Sequence, residues 1–105
     1  MKDRVVVQLP LSESMDFDSL ISIEDGLIEL FKDNRGVDVD GHDIGQGRFN
    51  VFIYSDDPWP SILGRIRAFL EFHGVLEDAV IATRPFEGGK YQVLWPSDYG
   101  YAFEL

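Results

Sequence analysis

Residues 37–50, VDVDGHDIGQGRFN, hold the densest set of chemically useful side chains in the chain: three aspartates, one of the two histidines, an arginine and an asparagine among three glycines. Three chemistries fit such a set. Asp38, Asp40 and Asp43 could bind a hard cation. An EF-hand loop, however, takes ligands at positions 1, 3 and 5, glycine at 6 and glutamate at 12. Counted from Asp38, this chain has its glycine at the fourth position and Phe49 at the twelfth, so the pattern fails. His42 beside Asp40 or Asp43 could be a general base oriented by a carboxylate. Neighbouring residues of a strand point to opposite sides, and the nearest serine downstream, Ser55, lies at the far end of the hairpin. Gly45-Gln46-Gly47 could cradle a phosphate, but it leads into a strand and offers no helix N-terminus. His73, the other histidine, precedes Gly74 at the expected end of a helix, where a histidine suits the C-terminal dipole. The reading is no metal site, no cofactor and no catalytic constellation, which leans away from an enzyme.

The elements that position these residues follow from periodicity. RVVVQL (4–9) is a β-branched run ending at Pro10 and predicts a first strand. Phe17, Leu20, Ile21, Ile28 and Phe31, widened by Leu27 and Leu30, recur at helical spacing. Asp16 or Ser14 caps the start, and Gly36 closes the end in a left-handed conformation. Gly26 inside this helix costs about 1 kcal/mol against alanine and suggests close packing on the sheet. After the two strands around the glycine-rich turn, Asp57-Pro58 predicts an N-cap followed by proline, with Ile62, Leu63, Ile66, Phe69 and Leu70 as the buried stripe. DAVIATRPF (78–86) and KYQVLW (90–95) predict two more strands joined around Glu87-Gly88-Gly89. The tail PSDYGYAFEL (96–105) is aromatic and charged and predicts either a short edge strand or a segment lying across a groove.

The order is β-α-β-β-α-β with an added C-terminal strand. It predicts one domain over 1–105, an α+β, ferredoxin-like two-layer sandwich with two helices on one face of an antiparallel sheet.

The hairpin can be phased from its own residues. Val37 and Val39 are apolar at odd positions and Ile44 at an even one, so one face cannot hold all three without a one-residue slip. Gly41 is the natural site for a β-bulge. With Gln46-Gly47 as a two-residue turn, Ile44, Phe49, Val51, Val39 and Ile53 face the helices. Asp38, Asp40, Asp43, Asn50, Phe52 and Tyr54 then share the opposite face, with Asp40 across from Phe52, and Tyr91 or Trp95 joins them from the last strand. Acids beside exposed aromatics predict an interaction surface. His42 turns the other way, toward the helices.

Bulk composition narrows the partners. The net charge is −10, from 19 acids against 9 bases, and repels phosphate backbones and anionic lipid. Nucleic acid and membrane surfaces are therefore disfavoured, and a basic protein is favoured. No cysteine is present, which removes disulfides, thiolate metal sites and cysteine nucleophiles. No segment approaches the roughly 18 apolar residues of a membrane span, and MKDRVVVQLPLSESMD does not read as a secretory leader, which predicts a cytoplasmic protein.

The block DGHDIGQGRFNVFIYSDDP (40–58) resembles a segment of small bacterial α+β proteins of unassigned activity, a DGH followed by spaced glycines, an asparagine, an apolar strand and DDP. The matching residues are Asp40, Gly41, His42, Gly45, Gly47, Asn50, Phe52, Ile53, Asp56, Asp57 and Pro58. Small acidic bacterial proteins of this size also resemble immunity proteins that neutralise toxins. The resemblance carries no site residues across; the charge of −10, the acid-aromatic sheet face and the lack of a catalytic constellation favour a non-catalytic protein-binding module, with a basic toxin or enzyme that this acidic chain blocks as the partner the resemblance implies. Two other readings stay open. One is a small enzyme or ligand-binding protein with a pocket near His42 and Asn50, Arg48 adjoining. The other is a regulatory homodimer.

Overall fold

The structure, a computed structural model, describes residues 2–105. Five strands and two helices follow in the order β1 (Asp3–Pro10), α1 (Phe17–Phe31), β2 (Val37–Gly45), β3 (Arg48–Ser55), α2 (Trp59–Phe72), β4 (Val80–Pro85) and β5 (Gln92–Trp95). A 3-10 turn at Leu76–Asp78 precedes β4. Asp78 therefore belongs to that turn and not to the strand. The fold is α+β: one antiparallel sheet in the order β2-β3-β1-β4-β5, with β2 and β5 as its edges. Among the described residues, no helix is long and apolar enough to cross a membrane.

One buried cluster joins alternate residues of the sheet to both helices. Val5, Val7 and Leu9 of β1, Phe49, Val51 and Ile53 of β3 and Ile81 of β4 meet Leu20, Ile23, Leu27 and Phe31 of α1 and Ile62, Ile66 and Leu70 of α2. The period of 2 in the strands and of 3 to 4 in the helices produces this cluster directly.

The helix ends show where local signals were overruled. Asp16 caps α1 by accepting from the Ser19 amide at 2.9 Å. That bond holds the Asp16 carboxyl below the ordinary carboxylate range, because it favours the charged form. The helix closes at Lys32, and Gly36 has no left-handed φ; it lies under Asp57, whose Oδ1 would sit 3.1 Å from a Cβ at that position. Pro58, not Asp57, is the N-cap of α2. The first free amide of that helix, Trp59 N, is taken by Asp3 Oδ2 of β1 at 3.0 Å. Gly74, with φ 73°, closes α2 as expected.

The apolar stripe of α1 also shifts. The buried positions of α1 are Leu20, Ile23, Glu24, Leu27 and Phe31, whereas Phe17 and Ile28 are each 45% exposed. Gly26 packs on α2 and not on the sheet: a Cβ there would come within 2.4 Å of Phe69 Cζ.

The β2–β3 hairpin and its surroundings

The hairpin turns through Gln46 (φ 53°) and Gly47 (φ 74°), both left-handed as a type I′ turn requires. Gly45 pairs with Arg48, Ile44 with Phe49, Asp43 with Asn50 and His42 with Val51. The register slips between Val39 and Gly41, and Val39 then pairs with Ile53 and Asp38 with Tyr54. The bulge lies where parity demanded it. One pairing differs: Gly41, with φ 142°, stands opposite Phe52, and Asp40 is the extra residue.

On the helix side, His42 meets α1. Its Nδ1 lies 3.0 and 3.1 Å from the two carboxylate oxygens of Glu24, whose side chain is 9% exposed. The imidazole stacks on Phe49 at 4.6 Å and 19°, and Phe17 approaches its edge at 6.0 Å. A donating Nδ1–H fixes the ring orientation, as in carboxylate–imidazole pairs of many sites. The partner is Glu24, neither Asp40 nor Asp43. Sequence reading missed Glu24 because a charged residue at a stripe position reads as solvent. Its signal was its place: residues 20, 24, 27 and 31 share one face of α1. Ile44, expected under the helices, is 47% exposed because the hairpin tip extends past them.

On the opposite side, the expected acid-aromatic surface divides. Asp38, Asp40 and Asp43 are exposed on the edge strand β2, Asp43 also accepting from Asn50 Nδ2 at 3.0 Å. Asn50 and Phe52 are buried. Phe52 lies under the Arg4 guanidinium, 4.2 Å from its ring centroid, and Asn50 Oδ1 accepts from Gln8 Nε2 at 2.9 Å. Tyr54 is half-buried against Phe86, their centroids 5.4 Å apart. These three stabilise the sheet and do not form an open surface. Arg48 is half-buried, its Nη1 donating to the Glu104 carbonyl.

The tail covers part of this face. It forms no strand; residues 100–105 run across this face, Phe103 meeting Tyr91 at 5.1 Å and Glu104 O accepting from Gln8 Nε2 at 2.6 Å. Tyr91 thus joins the far face, packed beside Arg84. Trp95 does not. It pairs with Ile81, packs on the main core, donates from Nε1 to Leu76 O and carries Arg67 on its ring.

His42 and Asn50 consequently lie on opposite faces of the sheet. His73 sits against Phe69 and Phe72 of its own helix. Among the described residues, no group of three or more His, Cys, Asp and Glu side chains is placed to hold a metal ion. Compared with protein-family models, curated proteins and solved structures, the chain matches none.

Proposed function

We propose that this protein is a non-catalytic protein-binding module that receives a basic partner, such as a toxin or enzyme, along the open edge of β2, in the cytoplasm. The observation that carries the reading is the make-up of that edge. A nine-residue edge strand exposes Asp38, Asp40 and Asp43, and Phe17, Ile28 and Ile44 are exposed beside it. Among the described residues, neither Asp38 nor Asp40 has a cationic partner. Charges and a bulge on an edge also discourage self-pairing, so the same features that keep copies apart favour a partner of opposite charge. The strand order and the two helices on one sheet face support a ferredoxin-like arrangement, and the net charge of −10 supports electrostatic attraction over nucleic-acid binding.

The test is stopped-flow association kinetics with a panel of small basic nuclease toxins, using the chain and its Asp38→Asn, Asp40→Asn, Asp43→Asn triple variant. Removing three steering charges should slow association on the order of 10-fold or more, with the loss greatest at low salt. Binding that survives both about 0.5 M salt and the triple substitution would remove the acidic edge as the docking surface.

A further inference from the structure

The C-terminal segment occupies the far face of the sheet as a peptide occupies a receptor. Its seat is built by a row of residues paired across strands: Gln8 stands opposite Asn50, and Asn50 opposite Asp43. Gln8 Nε2 and Arg48 Nη1 converge on one acceptor, the Glu104 carbonyl, at 2.6 and 3.1 Å. This recognition reads backbone and not side chain. Phe103 supplies a ring contact to Tyr91, and the Leu105 carbonyl would lie 3.9 Å from a Cβ on Gly45 at the hairpin tip.

A cleft of about 550 Å³ lies among Arg48, Tyr99, Tyr101, Ala102 and Glu104. A second of about 190 Å³ adjoins it through Arg48 and Tyr99 and reaches Gln8 and Asp78. Within the segment, the backbone hydrogen bond is Tyr99 N to Pro96 O. Residues 100–105 add no rung to either sheet edge. A segment held by two donors on one carbonyl and one ring pair, with no rung in the sheet, can come off its seat without breaking the sheet.

We infer that this seat is a peptide-docking site whose second occupant is the C-terminal segment of another copy of the chain, exchanged reciprocally. Each contact made within one copy is remade between two, so the exchange creates no new interface and costs only the opening of the 96–100 connection and association itself. Because the attached segment acts at an effective concentration on the order of millimolar, the exchanged form grows as the chain approaches that concentration.

The chain has no cysteine, so single thiols report the exchange cleanly. Gly45→Cys and Leu105→Cys chains, mixed at about 1 mM in a glutathione redox buffer, should form a mixed disulfide. The yield should exceed, several-fold, that from Gly45→Cys mixed with Tyr101→Cys, whose thiol lies on an exposed part of the segment. An excess of synthetic peptide 97–105 should suppress it. A Tyr91→Cys and Phe103→Cys mixture reads the same seat away from the hairpin tip and serves if the first pair folds poorly. Equal yields in the paired and control mixtures, or a yield indifferent to the peptide, would overturn the inference.

Discussion

The His42–Glu24 pair yields an asymmetric prediction. Glu24 is the buried partner, with 9% of its side chain exposed, and His42 the wetter one at 29%. Removing the histidine therefore strands a buried carboxylate without its donor, whereas removing the carboxylate leaves an imidazole that water can reach. A charge-assisted hydrogen bond contributes about 1.5–3 kcal/mol, and breaking a buried pair from the exposed side adds the cost of the unpaired charge. His42→Phe keeps a ring on Phe49 but deletes the donor, and should cost about 3 kcal/mol. Glu24→Leu replaces the carboxylate by an apolar side chain of similar reach, and should cost about 1 kcal/mol or less. In the double variant the leucine should recover most of what His42→Phe lost, a coupling of about 3 kcal/mol. Urea unfolding followed by far-UV circular dichroism measures all three, with an unchanged m-value as the check that the unfolded state is comparable. At roughly 5 °C per kcal/mol the single variants separate clearly in Tm as well. Glu24→Leu costing more than His42→Phe, or strict additivity in the double variant, would refute the account of a buried carboxylate held by its histidine.

Gly41→Val should cost about 1–3 kcal/mol, because φ 142° is a conformation a β-branched residue rarely adopts; hydrogen exchange in β2 should rise ahead of exchange in β1. Gly26→Ala should destabilise by about 1 kcal/mol despite its better helix propensity, since the new Cβ must displace Phe69, and Phe69→Leu in the same chain should restore the loss. Asp16 contributes to stability with a definite acid limit. Its carboxyl is held below the ordinary range by the Ser19 amide, so its contribution is complete above that range and fades as pH falls through the lowered value. Asp16→Asn keeps the cap acceptor and should flatten this part of the acid-unfolding profile, which a series of thermal melts at decreasing pH would show.

Much of the hairpin was legible before any coordinates. The parity conflict between Val39 and Ile44 located the bulge, and Gln46-Gly47 fixed the turn, because both depend only on the two-residue period of a strand and on backbone sterics. The burial of Phe52 and Asn50 was not legible. It depends on Arg4 two strands away in the chain order and on a tail about 50 residues downstream, and no local pattern encodes which face a tail will cover.

The same division holds across the molecule. Apolar periodicity set the order of strands and helices, the face that β1 and β3 turn to the core, and the direction of His42, since each follows from repeats within a single element. The net charge of −10 set the sign of the field around the protein. Tertiary structure decided what long-range contacts alone can decide. Asp3, not Asp57, receives the first amide of α2; Glu24 sits inside a buried stripe; Gly26 admits Phe69; and the tail closes over Gln8 and Arg48. Each of these joins residues far apart in the chain, where partner geometry outweighs the few tenths to 1 kcal/mol of local propensity.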